Sequence, residues 1–361
     1  MNEANIRINV DNLRDFTTKV FSSLGVPSED ACIASDILIV ADQRGVSSHG
    51  LRMLKWYTDR LRKGAISPVT KIKVLKESDS TLLISGENGL GQVVAYQSMK
   101  LTIDKALKNN VCLTSVRNSN HYGMAGYYSM MALEHDLIGI ALTNASVLVV
   151  PTHGKTAVFG TNPISLAVPA GKQRSYVLDM ATSTVSKGKL AVQGLSGKSI
   201  PLTWATDEFG NPTQDIPRVL ANLDGKMGGG LLPLGGAGEE SGGHKGYGLA
   251  LAVDILSAVL SGGTFGPKIY PTKGPPAGAC HFFGAINIEA FIGLNSFKCL
   301  MDEYIDILKN SEKATGCDRI FIHGEKEFEL YEQQQVEVNI HRMVVEELIQ
   351  VGEEVGVKAS F

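Results

Sequence analysis

Histidine is the side chain whose proton comes and goes near neutral pH, and two of the eight in this chain sit where such an exchange is useful. His121 lies in Asn118-Ser119-Asn120-His121-Tyr122-Gly123, after the apolar run Val111 to Val116 and before the small-residue stretch Gly123 to His135. That pattern predicts a strand-to-helix turn carrying an imidazole among neutral polar neighbours, a setting for general acid and base work. His49 lies in Gly45-Val46-Ser47-Ser48-His49-Gly50, with Arg44 before it and Arg52 after it. Arg52 falls about one helical turn beyond His49, so the two side chains can face one cleft. A guanidinium holds a carboxylate by two parallel hydrogen bonds. Histidine beside arginine therefore points to a small anionic substrate whose hydroxyl or carbonyl is handled. Ser48 could orient that substrate or support His49. Ser-His adjacency does not indicate a serine hydrolase, because adjacent side chains need not face each other and no nucleophile-elbow pattern occurs.

Elements of both kinds must position these groups. Leu13, Phe16, Val20 and Phe21 recur at helical spacing after a start near Val10-Asp11. Further helices are expected over Glu29–Asp42, Leu51–Lys63 (stopping at Gly64), Gln92–Asn109 and from Gly123. Strands are expected at Thr81–Ser85, Val111–Val116, Leu137–Thr143, Ile164–Val168 and Tyr176–Leu178. Beyond them, Tyr247–Ser261 reads as an apolar helix, His281–Phe291 as strand, Met301–Lys309 as helix, and Asn339–Val351 as a C-terminal helix. The alternation gives an α/β class with His121 beyond a strand end. Three helices before the first confident strand argue against a simple Rossmann domain starting at residue 1.

Gly86-Glu87-Asn88-Gly89-Leu90-Gly91 follows a strand and precedes a helix, the context of a phosphate-binding loop. Val94 stands where the last glycine of G-x-G-x-x-G belongs, and no acidic residue ends the next strand, so a turn-shaping role is the preferred reading over cofactor contact. The glycine-rich stretch Asp224–Gly243 reads as a loop.

The bulk numbers exclude other classes. The 361 residues are 43% hydrophobic and carry a net charge of −3, so no basic field or stripe argues for nucleic acid. No run approaches the roughly 20 apolar residues of a membrane span. The five cysteines, Cys32, Cys112, Cys280, Cys299 and Cys317, are odd in number and form no C-x-x-C pair. Mostly buried thiols in a reducing compartment, and hence a soluble cytoplasmic protein, are expected. No H-E-x-x-H spacing or cysteine pair supports a metal site.

Five segments in order carry a resemblance: Ala41-Asp42-Gln43-Arg44-Gly45-Val46-Ser47-Ser48-His49-Gly50; Asn118 to Gly123; Phe159-Gly160-Thr161-Asn162-Pro163-Ile164; Asp179-Met180-Ala181-Thr182-Ser183; and Gly243-His244-Lys245-Gly246-Tyr247-Gly248-Leu249. Together they resemble the type II malate/L-lactate dehydrogenase family, which also includes sulfolactate and ureidoglycolate dehydrogenases and reductases of related keto or imino acids. The resemblance runs almost end to end. It departs at His323-Gly324-Glu325, which is similar to a Pro-Gly-Glu segment with histidine in place of proline, and in the long glycine-rich stretch before His244.

The resemblance implies a non-Rossmann α/β nucleotide-binding domain with a mixed sheet, over about 76–299. It also implies a mainly helical domain built from both chain ends, about 1–75 and 300–361. The implied assembly is a homodimer, and the implied reaction is reversible hydride transfer between nicotinamide and C2 of a small 2-hydroxy or 2-oxo acid, malate first. Lactate, sulfolactate, ureidoglycolate and cyclic imino acids stay open, as does an inactive metabolite-binding protein. NAD is the implied cofactor, with NADP open. His121 would be the acid/base, with His49 its rival. Arg52 would grip a substrate carboxylate, and Arg44, Asn144, Ser146 and Thr161 would lie near substrate, although Asn144 and Ser146 could equally cap a turn. Asn162, Pro163, Asp179, Met180, Ala181, Thr182, His244, Lys245, Gly246 and Glu325 would line the cofactor together with His121. Lys187 and Lys189 could meet an adenosine-side phosphate.

Overall fold

The computed structural model describes residues 5–195, 197, 199–270 and 276–361. The chain opens with β1 (Asn5–Asn9), α1 (Val10–Ser23), α2 (Ser28–Gln43) and α3 (Leu54–Arg62). It continues through β2 (Lys73–Glu77), β3 (Thr81–Ser85), α4 (Gly91–Asn109), β4 (Val111–Ser119), α5 (Ala125–Met131), β5 (Leu137–Thr143), β6 (Ile164–Val168) and β7 (Tyr176–Met180). Next come α6 (Lys187–Leu195), β8 (Ala205–Thr206), α7 (Ile216–Gly225), β9 (Gly230–Leu231) and α8 (Gly243–Asp254). The last elements are β10 (Ala279–Asn287), α9 (Leu294–Asn310), α10 (Glu325–Gln333), β11 (Glu337–His341) and α11 (Arg342–Val355).

Asn9 starts α1 by accepting the backbone N–H groups of Asp11 and Asn12 at 2.9 and 3.1 Å, the usual work of an Asn cap. The helix buries the expected face, Leu13, Phe16, Val20 and Phe21, against α2, α3 and α11. Both chain ends meet as a two-stranded antiparallel ribbon, with Asn5 opposite His341 and Asn9 opposite Glu337. The predicted helix over Asn339–Val351 is corrected here. Val338 and Ile340 are buried and their neighbours exposed, a period of two that makes Glu337–His341 a strand, and the helix begins only at Arg342. The N-terminal strand that it pairs with was not foreseen.

The large sheet has seven strands in the order β2-β3-β4-β10-β5-β6-β7. Only β3 and β4 are parallel, joined by α4, and every other pair is antiparallel. This is a mixed sheet and not the parallel sheet of a Rossmann domain. The chain returns after residue 278 to insert β10 between β4 and β5, beside the end at which His121 leaves the sheet. On one face α4 and α5 bury Val94, Met99, Tyr128 and Phe283 with Ile37 of α2. On the other, α8 and the π turn Ile255–Val259 that extends it cover Leu142 and Phe282. A separate cluster around Val149, Leu190, Val219 and Leu231 joins α6 and α7 to the short β8–β9 pair, so the glycine-rich stretch holds one strand within its loops. Among the described residues no helix is long and apolar enough to cross a membrane.

The glycine motif after β3 has a packing cause. A Cβ on Gly91 would lie 2.1 Å from the carbonyl oxygen of His121 and 2.4 Å from that of Asn120. Only glycine lets the start of α4 approach the His121 turn so closely. The motif thus positions the histidine loop.

Candidate active site

His121 sits two residues beyond β4 in a cage of rings. Trp56 and His49 each lie 5.6 Å away between centroids, His49 stacked within 10° of parallel. Tyr57 brings its hydroxyl to 2.5 Å from Nδ1, and the Gly123 N–H reaches the same nitrogen at 3.4 Å. Nδ1 is therefore engaged inside the protein, and Nε2 has no protein partner among the described residues. The hydroxyl of Tyr57 rotates, so it can donate to a bare Nδ1 or accept from Nδ1–H. Burial pushes the imidazole down to about 3, with His49, His281 and Arg60 adding to the effect. The ring is neutral at rest, and two stacked imidazoles resist carrying two charges.

His49 stands in a 3-10 turn, Ser47–His49, with the Ser48 Oγ 2.9 Å from its Nδ1. Burial and then Arg52 push it down as well. Asp42, at the end of α2, accepts the Leu51 N–H at 2.7 Å and ties this turn to the helix. Burial raises its carboxyl to about 7, against the opposing pull of that N–H and of Arg52. Arg52 itself is exposed.

A cleft of about 480 Å³ opens beside this pair. Ser48, His49 and Arg44 line one part of it and Gly123–Gly126 another, while Thr161, Pro163 and Asp179–Ala181 come from the sheet edge. The strap Phe321–Gly324, with Lys326 and Glu327, closes the side. The strap hangs on β7 through the Val177 N–H to the His323 carbonyl at 3.0 Å. Gly324 has φ +88°, and a Cβ there would lie 2.8 Å from that of Val177, so this close turn requires glycine. Asp179 is open to the cleft but set in protein otherwise. Burial raises its carboxyl to about 6, while the Gly126 N–H at 2.7 Å and Arg44 pull the other way. The Arg44 guanidinium is buried 4.4 Å over the Phe328 ring.

Other expected residues shape walls without lining this cleft. Asn144 spends its side chain on the Thr264 carbonyl and the Cys280 N–H, at 3.0 and 2.9 Å. Asn162 accepts from the Ala145 N–H and donates to the Ala250 carbonyl and to Asp254. The Thr182 hydroxyl donates to the carbonyls of Thr161 and Asn162. Glu325 is buried, paired with Lys309 at 2.7 Å and Arg319 at 2.6 Å, and accepts the Ile322 N–H, which fixes the strap. Ser146 is exposed on the loop after β5, and His244 and Lys245 are exposed at the start of α8. Gly246 packs against the Leu234 backbone.

Sequence reasoning missed Trp56, Tyr57, Asp42 and the strap residues Phe321 and Ile322. Trp56-Tyr57 looks like any aromatic pair on a helix, and no spacing connects position 57 to 121. Asp42 lay inside a quoted motif and could have been found as the only carboxylate there.

This architecture is shared by solved dehydrogenases. It superposes on malate dehydrogenase from Entamoeba histolytica with a TM-score of 0.94, at 35% identity over 99% of this chain and 100% of that one. In sequence, the chain is 47% identical over 359 residues to a malate dehydrogenase from Pyrococcus abyssi, covering 99% of this chain and 97% of the relative. It is 40% identical over 320 residues to an L-sulfolactate dehydrogenase from Methanocaldococcus jannaschii, covering 88% of each. The profile of the malate/L-lactate dehydrogenase family matches residues 8–349, and the chain belongs to that family. It is accordingly an oxidoreductase of the NAD-dependent 2-hydroxy/2-oxo acid class.

Proposed function

We propose that the protein interconverts malate and oxaloacetate with NAD, and that His121 moves the proton. The observation that carries this is the division of labour on one ring: Nδ1 is held by Tyr57, Nε2 has no partner among the described residues, and the ring is stacked on His49, which lines a cleft that runs to Asp179–Ala181. The cleft fits a flat, partly charged cofactor. Gly123, Ala125 and Gly126 offer close backbone approach, Asp179 offers an acceptor for hydroxyls, and Lys326 offers a partner for phosphate. Asp179 and Glu327 both line it and would repel an added phosphate, which favours NAD over NADP.

Nicotinamide, when bound, accepts or supplies the hydride at C2. For oxidation, His121 takes the tautomer in which Nδ1–H donates to the Tyr57 oxygen and the long 3.4 Å contact from the Gly123 N–H is given up, and the bare Nε2 takes the C2 hydroxyl proton. For reduction, the imidazolium returns that proton to the oxygen at C2. Burial disfavours the charged ring, so the substrate's negative charge must help to stabilise it. Arg52, which pairs with no carboxylate among the described residues and lies beside His49, holds the carboxylate next to the reacting carbon. Ser48 fixes His49, which keeps the second imidazole neutral and stacked. Asn144, Asn162, Thr182 and Glu325 hold the walls in place.

We further infer a homodimer. The outer face of α8 and its π turn leaves Ile255, Val259 and Leu260 exposed at 47, 53 and 60%, a contiguous apolar stripe of the kind that a second copy covers. Light scattering should give twice the chain mass, and Ile255→Glu should give the monomer. The division into a terminal part (1–75, 300–361) and a nucleotide part (76–299) is kept as a proposal, with α9 crossing it: Asp302 accepts the N–H groups of Gly171, Lys172 and Gln173. The expectation of mostly buried thiols is corrected: Cys32, Cys299 and Cys317 are exposed and only Cys112 and Cys280 are buried, and we keep a reducing cytoplasm as the compartment that leaves exposed thiols free.

The test is absorbance of reduced nicotinamide with NADH and NADPH against oxaloacetate, pyruvate and sulfopyruvate. Fastest oxidation of NADH with oxaloacetate is expected. Preference for sulfopyruvate would move the assignment to sulfolactate, and silence with all three would overturn it.

A further inference from the structure

We propose that Arg60 receives the second acidic group of the substrate, the one remote from the reacting carbon. The proposal rests on the 2-hydroxy acid reading above and deepens it. Trp56 and Arg60 lie four residues apart on α3 and so share a face. The guanidinium carbon stands 4.2 Å over the Trp56 ring and 5.5 Å from that of Tyr270. Trp56 is also 5.6 Å from His121. One indole therefore separates this fixed cation from the imidazole, and the cation is felt there as one of the charges disfavouring a second positive charge.

Arg60 is held but unpaired. Its helix neighbours have carboxylates: Lys55 pairs with Asp59 at 3.6 Å, and Arg62 with Glu354 at 2.5 Å. Among the described residues no carboxylate pairs with Arg60, although it is half-buried. Stacking fixes the plane of a guanidinium and leaves its N–H edge for a planar or tetrahedral anion. Trp56, Arg60, His121 and Tyr270 all keep part of their surface open. Arg52 likewise has no ion-pair partner among the described residues and acts on His49. Two free guanidinium groups thus flank the stacked imidazoles, one beside each. A substrate with one acidic group needs one of them, whereas a 2-oxo acid ending in a carboxylate or sulfonate uses both. Arg44 is a poorer second receptor, because it is lodged on Phe328 with Asp179 and Glu327 nearby. Pairing Arg60 with an anion also relieves its pressure on His121, so that a dianion would favour the imidazolium that reduction needs.

The experiment compares wild type with Arg60→Gln and Arg60→Lys, reading kcat/KM for oxaloacetate and sulfopyruvate against pyruvate or 2-oxobutanoate. In Arg60→Gln the ratio of dianion to monoanion should fall by about 100-fold, the size of a lost charged hydrogen-bonded pair, and Arg60→Lys should recover part of it. The member of the dianion pair that loses more identifies carboxylate or sulfonate as the natural end group. An unchanged ratio overturns the proposal whatever happens to the absolute rates, because a merely structural arginine would slow both substrate types alike. If wild type reduces no 2-oxo acid, the reaction reading fails first. Arg60 is then judged by binding: in a Trp204→Phe background, malonate should change the emission of Trp56 in wild type and not in Arg60→Gln. The same response in both would overturn the receptor.

Discussion

His121 and His281 lie on either side of Ser119, and burial pushes both imidazoles down to about 3. Their surroundings differ in what they leave unused. His281, on β10, bonds Thr143 through Nδ1 and Ser119 through Nε2, both at 2.7 Å, is fully buried, and carries the stacked ring of Tyr122 at 4.6 Å. Both of its nitrogens are consumed in joining β10 to the strands on either side. His121 has one nitrogen tied and, among the described residues, one without a partner, and keeps part of its surface open. A displaced proton affinity is therefore common to both rings and does not mark a proton-transfer histidine; the proposal for His121 rests on its unpartnered nitrogen and on its stacking with His49, which lines the cleft.

Removing each ring should separate the two regions. His121→Asn should lower kcat by about 10³, within the range for a lost general acid/base, with cofactor affinity little changed. Steady-state rates within tenfold of wild type would take the proton-transfer role away from it. His281→Ala should instead cost about 3 kcal/mol of stability, from the orphaned Ser119 hydroxyl and the cavity left by the ring, the Thr143 hydroxyl keeping the Cys280 carbonyl. Urea midpoints measure this, and an unchanged midpoint would contradict the bridging role.

The pH dependence of stability sharpens the contrast. His281 has a folded affinity depressed from 6.5 to about 3, so its contribution is present above pH 6.5 and is lost as pH falls toward 3, where the unfolded chain binds a proton that the folded chain refuses. The stability gap between wild type and His281→Ala should narrow over that window. Asp42 runs the other way. Its carboxyl is raised from 3.8 to about 7, so its contribution is present below pH 3.8 and is lost as pH rises to 7. Asp42→Asn should gain on wild type as pH rises between those values, by at most about 1.4 kcal/mol per pH unit. Melting curves from pH 4 to 8 read both slopes, and parallel curves would refute them.

The same contrast shows what the sequence could convey. Elements with a long local pattern were legible: β3, β5 and β6 fall on their predicted residues, and α1, α2 and α4 within one. The β1–β11 ribbon was not, because two five-residue strands at opposite chain ends carry only two inward apolar residues each and depend on each other. His121 and His49 were legible because they sit in distinctive turns. Their stacking, and the approach of Tyr57, depend on the packing of α3 across the end of the sheet, which no local spacing encodes. His281 was passed over as a histidine without company, since Ser119 and Thr143 become its neighbours only when β10 is inserted between β4 and β5.

The smallest effect comes from the partner that makes His121 differ from His281. Tyr57→Phe removes the hydroxyl at Nδ1 and leaves only the Gly123 N–H, at 3.4 Å, which can donate but not accept. A neutral ring loses an ordinary hydrogen bond, whereas an imidazolium loses the acceptor for its Nδ1–H. The charged form suffers more, by about 1 kcal/mol, so the affinity of His121 for its proton falls further. The pH profiles of kcat/KM should move down by about 0.7 unit, and reduction at neutral pH should slow by about fivefold as the imidazolium fraction shrinks. A tyrosine that merely filled space would lower the melting temperature and leave the profile where it was. A profile that stayed put while the rate fell would return Tyr57 to the core and leave Nδ1 without a working partner.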